Sequence, residues 1–309
     1  MTSLPFFLVT GFLGSGKTSF LKHVLEEWAD TRRLAVVQNE FAETGVDGAE
    51  LRRTGKPFHL EEIDKGSAFC VCLLSDFHRI LRRVLDGYKP DAVVLETAGL
   101  ADPIAVVQTI QTDALEGRLY LAHAVCLVDA SNFLEWEPRF PSLSRQIRVA
   151  DTVAINKTDL APDTVRAVRE RVFEINPIAH VACTKHGKIP LKRIHDSAGF
   201  LPVALQHSSA HRRLKPYGRP CIGSAVIKTT NPISMENLRS FIETAAVNTY
   251  RIKGTVRLSD GKTVAVQSCF GRTKMRCIGL DHGPTELVVL GPNVTRREWT
   301  RRYLQCTMH

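Results

Sequence analysis

Three groups of residues in this 309-residue chain have the types and spacing to do chemistry. The first is Gly11-Phe-Leu-Gly14-Ser15-Gly16-Lys17-Thr18, a complete G-x-x-x-x-G-K-[ST] string. Its glycines let successive backbone N–H groups turn toward phosphate oxygens, and a following helix adds positive potential at its N-terminus. Lys17 is expected to reach the β- and γ-phosphates and Thr18 to ligate Mg²⁺, with Ser19 closing the binding stretch. The second group, Asn156-Lys157-Thr158-Asp159, fits the N-K-x-D reader of guanine: a carboxylate at Asp159 accepts from the N1–H and N2–H₂ edge that adenine lacks. Asn and Asp are also common in ordinary strand-to-helix turns, so the guanine reading leans on the phosphate loop that precedes it. An ATP-using kinase on the same loop is the weaker alternative.

The third group is Cys70-Val71-Cys72. Two thiolates one residue apart can ligate a soft or borderline metal such as Zn²⁺, but two ligands do not close a site. His59, His78, Glu40 or Glu43 could complete it, and two buried cysteines beside an apolar helix is the competing reading. Between these groups lie two candidate nucleotide sensors. Glu96-Thr97-Ala98-Gly99 ends an apolar run, where Glu96 can hold Mg²⁺ through water and the Gly99 N–H can meet a γ-phosphate. Asn39 and Glu40 end another run and are read as a first switch. Lys17, Thr18, Glu96 and Gly99 are therefore the expected catalytic set, and no side chain stands out as a general base.

These residues need a scaffold, and its pattern is legible. Short apolar runs (Phe6 to Thr10, Leu34 to Gln38, Ala92 to Glu96, Ala124 to Asp129, Thr152 to Asn156, Ile178 to Ala182) alternate with helical repeats such as Phe77, Ile80, Leu81, Val84 and Leu85. The alternation predicts an α/β domain, a P-loop parallel sheet with flanking helices, over residues 1–193. Glycines and prolines over 194–218 are read as a linker. Residues 219–309 then read as a smaller C-terminal α+β domain: a strand at Ala225 to Thr229, a helix capped by Ser234, a hairpin turning at Asp260-Gly261, a strand at Leu287 to Leu290, and a last helix opened by a Thr295/Glu298 capping box.

Composition narrows the partners. Net charge is +9, and Arg219 to His309 contributes 14 basic against 6 acidic residues. That excess suits an acidic protein surface, while the aromatic interleaving of a nucleic-acid binder is missing. No apolar run reaches the length of a membrane span, and the apolar start lacks a signal-peptide pattern, so the expectation is a cytoplasmic protein with no membrane and no nucleic-acid partner. The cysteines outside the C-x-C pair are expected to be buried small hydrophobes.

Taken together, Gly11 to Thr18, Asn39-Glu40-Phe41, Cys70/Cys72, the string Glu96-Thr-Ala-Gly-Leu-Ala-Asp-Pro103 and Asn156 to Asp159 resemble the CobW-type GTPases, the metallochaperone branch of the SIMIBI class. The resemblance extends through Asn176-Pro177, His186-Gly187 and Arg251-Ile-Lys253-Gly254. It implies GTP and Mg²⁺ as ligands, Zn²⁺ or Co²⁺ as cargo held by Cys70 and Cys72, and a client metalloprotein docked by the basic C-terminal domain. Leu73 stands where the family carries a third thiol, Ala42 where it usually has Gly, and Ala98 where it usually has Thr or Ser. The family's histidine tract is reduced to His207 and His211. The alternative is a GTP-dependent docking activator of a client enzyme without its own metal transfer.

Overall fold

The computed structural model describes residues 3–39, 46–63, 74–110, 115, 117–192, 194, 222–269, 272–280, 283–292 and 294–307. The chain divides into two compact units, Met1–Leu205 and Gln206–His309. In the first, strands β1 (Leu4–Gly11), β2 (Leu34–Asn39), β3 (Phe58–Ile63), β4 (Ala92–Glu96), β5 (Leu119–Asp129), β6 (Thr152–Asn156) and β7 (His180–Cys183) form one sheet in the order β3-β2-β4-β1-β5-β6-β7. Every pairing is parallel. Helices α1 (Lys17–Trp28), α2 (Val46–Arg52), α3 (Leu74–Arg83), α4 (Pro103–Ile110), the single turn α5 (Phe133–Trp136), α6 (Pro141–Val149) and α7 (Val165–Ile175) make the connections.

A parallel strand between two helix layers must be apolar on both faces, which is why β4 and β6 read as continuous hydrophobic runs and are buried throughout. On one face Phe7, Val9, Val36 and Val94 pack with Phe20, Leu21, Leu25 and Trp28 of α1. On the other, Cys126, Val128, Val153 and Ile155 pack with Leu143 and Ile147 of α6 and Val168 and Val172 of α7. Each fully buried Phe or Leu contributes roughly 1.5–3 kcal/mol. The layers fix where all strands end, and the carboxyl ends of β1, β2, β4, β5 and β6 carry Gly11, Asn39, Glu96, Asp129 and Asn156. Ligands of open parallel sheets bind in the crevice outside these ends.

The second unit holds β8 (Ile222–Thr229), α8 (Met235–Val247), β9 (Arg251–Arg257), β10 (Lys262–Cys269), β11 (Arg272–Leu280), β12 (Thr285–Pro292) and α9 (Arg296–Cys306). Its antiparallel sheet runs β11-β10-β9-β12-β8. Ile227, Ile252, Val264 and Leu287 share a core with Leu238, Phe241 and Ile242 of α8 and Trp299 and Tyr303 of α9. Ser234 caps α8 as expected, its Oγ accepting from the Asn237 N–H at 3.1 Å. The β9–β10 hairpin turns at Asp260-Gly261, with Gly261 at φ 81°.

Two edge strands escape the sequence pattern. In β3, Phe-His-Leu-Glu-Glu-Ile, Glu61 and Glu62 pair with Arg83 and Arg52. In β11, Arg-Thr-Lys-Met-Arg-Cys-Ile-Gly-Leu, charges likewise interrupt the apolar run. An edge strand needs few apolar residues, so its charge hides it. The capping box at α9 is corrected: Thr295 is the N-cap residue, but its side chain makes no cap bond, and the Glu298 carboxylate pairs with Arg302 one turn on. A charge-assisted contact outcompetes a neutral cap there. Of Cys126, Cys183, Cys277 and Cys306 only Cys126 is buried, its thiol pushed up to about 12 by burial, whereas Cys183 and Cys277 are exposed and Cys306 is half-buried. No helix among the described residues is long and apolar enough to cross a membrane.

Candidate nucleotide site

The loop between β1 and α1 is built for close approach. Gly16, the residue before α1, has φ 97°, and a Cβ there would lie 2.2 Å from Asn156 Nδ2, so both conformation and space demand glycine. No side chain caps α1 and no acidic residue sits in its first turn, leaving its positive end uncompensated by the protein. Lys17 is 8% exposed and donates to the Phe12 carbonyl at 3.2 Å, folding its ammonium back over the loop. The Ser15 hydroxyl is buried and has no hydrogen-bond partner among the described residues. Thr18 and Ser19 are half-buried in the first turn of α1. Phe12 packs against Trp136 and Phe140, with ring centroids 4.9 and 5.0 Å apart.

Asn156 ties this loop to a segment 31 residues further along the chain. Its Nδ2 donates to the Ser15 carbonyl at 2.9 Å, and its Oδ1 accepts from the Gly187 N–H at 3.0 Å. Thr158 reaches across to Thr184, its N–H and hydroxyl both donating to that carbonyl. The loop after β7 therefore sits beside Asn156 to Asp159, with the Asp159 side chain exposed. Lys157, at φ 60°, donates to Asp129 Oδ2 at 2.7 Å. Burial pushes the Asp129 carboxyl up, but Lys157, the Ser131 N–H and the Asn132 amide outweigh it and hold the group below its ordinary value.

On the other side of β1, the buried Glu96 carboxylate accepts from Gln38 Nε2 at 2.8 Å across the β2–β4 register. Gly99 is buried against the phosphate loop: a Cβ there would fall 2.6 Å from the Leu13 nitrogen. The carbonyls of Gly99 and Ala101 both accept from Gln146 Nε2 on α6.

The structure thus brings together Gly11 to Ser19, Glu96, Gly99 and Asn156 to Asp159 around the ends of β1, β4 and β6. Asn39 ends β2, while Glu40, Cys70 and Cys72 lie outside the described residues, as do Glu43, His207 and His211. Among the described residues no three His, Cys, Asp or Glu cluster as a metal site. His59 stacks on Tyr88 and contacts Glu61 Oε1 at 3.0 Å. The sequence reading missed Gln38, Asp129 and Gln146. Gln38 carried a signal, a polar residue closing an apolar strand, but its partner depends on strand register.

A glycine-rich strand-to-helix loop at the carboxyl end of a parallel sheet, with an asparagine tying it to a neighbouring strand end, defines the P-loop nucleotide-binding class. Residues 5–182 match the CobW/HypB/UreG nucleotide-binding domain, and residues 222–307 match the cobalamin synthesis protein cobW C-terminal domain. The chain belongs to this CobW/HypB/UreG family. Relatives include the zinc chaperone YjiA of Escherichia coli, 31% identical over 209 residues, covering 65% of this chain and 64% of that protein. The zinc-regulated GTPase metalloprotein activator 1 of Saccharomyces cerevisiae is 27% identical over 227 residues, covering 65% of this chain and 53% of that one. The chain thus spans between half and two-thirds of the length of these relatives. The crystal structure of Zn(II)-bound YjiA GTPase from E. coli superposes with a TM-score of 0.64 over 99% of both chains at 23% identity, a likeness of fold.

Proposed function

We propose that this chain binds and hydrolyses GTP and couples that turnover to delivery of a metal ion, zinc or cobalt, to a client protein. The observation that carries the reading is Asn156, whose side chain ties the phosphate loop to the segments that would hold guanine. In this reading the loop from Gly11 to Ser19 cradles the phosphates, the Ser15 hydroxyl and Lys17 ammonium turn to phosphate oxygens, and Asp159 accepts from the guanine edge. The hydroxyl of Thr18 and the buried carboxylate of Glu96 are hard oxygen donors that fit Mg²⁺, which would neutralise charge on the phosphates. Gln38 holds Glu96 in place, and the Gly99 N–H senses the γ-phosphate.

The relatives named as zinc chaperones support a metal cargo, for which Cys70 and Cys72 are the proposed ligands. Nucleotide can drive transfer only if GTP and GDP forms differ in metal affinity, since a ligand shifts only an equilibrium it binds unequally. Docking of an acidic client surface is assigned to the outer face of α9. Arg296, Arg297 and Arg301 are exposed there and have no ion-pair partner among the described residues, while Trp299 and Tyr303 anchor the opposite face.

The test is zinc and cobalt binding to the reduced protein with a GTP analogue, with GDP and without nucleotide, for wild type and the Cys70→Ser/Cys72→Ser variant. Tight, nucleotide-dependent binding lost in the variant is expected. Nucleotide-blind binding, or none, would instead favour a GTP-dependent docking activator.

A further inference from the structure

The turn between β4 and α4 is held from three directions. At its start the Thr97 N–H donates to the Val9 carbonyl of β1 at 3.0 Å. At its end Asp102 Oδ1 accepts from the Ile104 N–H and Oδ2 faces Arg145. Between them the Ala101 N–H donates to the Ala98 carbonyl at 2.9 Å, which orients the planar Ala98–Gly99 peptide and with it the Gly99 N–H. The far side of the turn has a single side-chain anchor among the described residues: Gln146 Nε2 donates to the Gly99 carbonyl at 3.0 Å and to the Ala101 carbonyl at 3.2 Å.

Packing does not account for a carboxamide at this position. Gln146 is 1% exposed, and its Oε1 is buried without a hydrogen-bond partner among the described residues. An apolar side chain of similar volume would avoid that unsatisfied acceptor. Both neighbours are carbonyls, so the NH₂ end must face them whichever way the amide is drawn. The position needs a neutral double donor of this length; Asn is one methylene short, and Glu supplies no donor when ionised.

We propose that Gln146 is the positioning residue that presets the Gly99 turn for a γ-phosphate and thereby sets the chain's preference for a triphosphate over a diphosphate. This rests on the GTP-site reading given above. A glycine turn without an anchor samples many conformations, and ordering it on binding subtracts from affinity. Gln146 removes that cost beforehand, and only for a ligand that touches Gly99. GDP has no γ-phosphate and gains nothing from the anchor.

The experiment is calorimetric titration of the full chain with GDP and with a non-hydrolysable GTP analogue in Mg²⁺, for wild type, Gln146→Met and Gln146→Asn, each alongside a thermal melt. Loss of one to two neutral hydrogen bonds implies a fall in GTP-analogue affinity of roughly 5- to 30-fold. GDP affinity stays within about twofold, the size of an unperturbed contact. The melting temperature of Gln146→Met falls only modestly, because loss of the unpartnered acceptor offsets part of the cost of leaving the Gly99 and Ala101 carbonyls without their donor. Equal weakening of both nucleotides would assign Gln146 a purely structural role and overturn the proposal. Unchanged or tighter analogue binding would overturn it as well. If wild type binds neither nucleotide, the GTP-site reading fails first and this inference falls with it.

Discussion

Replacing Asn156 with Ala should damage stability and nucleotide binding together. The side chain is 2% exposed and serves two backbone groups at once, the Ser15 carbonyl and the Gly187 N–H. Leaving a buried donor or acceptor unmet costs about 1–3 kcal/mol each, and water entering the truncation cavity recovers part, so the expected loss is roughly 2–4 kcal/mol. For a unit of this size that lowers Tm by roughly 5–15 °C. Because the phosphate loop and the loop after β7 are then no longer fixed to one another, affinity for GDP should fall by more than about tenfold, or roughly 1.4 kcal/mol. Asn156→Asp keeps the acceptor for Gly187 but sets an oxygen against the Ser15 carbonyl, so it should be at least as harmful. Chemical denaturation and titration of a fluorescent GDP read the two effects separately. A folded Asn156→Ala protein that binds GDP as wild type does would refute the clamp.

Acid should remove a defined part of the stability of the first unit. Burial raises the carboxyls of Asp129 and Glu137, but Lys157, the Ser131 N–H and Asn132 at the first, and Arg171 and Ser144 at the second, hold both below their ordinary values when folded. Their contribution is complete above the unfolded carboxyl range near about 4 and is lost as pH falls through the lower folded values; urea midpoints taken between pH 6 and pH 3 should show it, and Asp129→Asn should flatten the curve. Ser234→Ala removes the cap bond of α8 and should destabilise the second unit by about 1 kcal/mol, measured by denaturation with Ser234→Thr as the conservative control. Charge reversal at Arg296, Arg297 and Arg301 should weaken client capture and flatten its salt dependence while leaving GTP turnover unchanged; turnover that falls in parallel would count against a docking role.

The sequence by itself determined the phosphate loop, the alternation of strands and helices, and most strand positions in the first unit, because those signals are local. A buried parallel strand must be a continuous apolar run, and a phosphate-binding turn must place its glycines at set intervals. Ser234 and Asp260-Gly261 were legible for the same reason, each acting within a few residues of itself. Register and three-dimensional neighbourhood were not. Whether Gln38 meets Glu96, whether Asp129 pairs with Lys157, and whether Gln146 reaches the Gly99 turn depend on strand order and helix packing across 28 to 58 residues of chain. The edge strands β3 and β11 needed their partners to be recognised, since their charges obscure the pattern that pairing reveals. Tertiary structure decided these points because a side-chain amide carries no periodicity of its own; its role appears only when folding sets its donor beside a particular carbonyl.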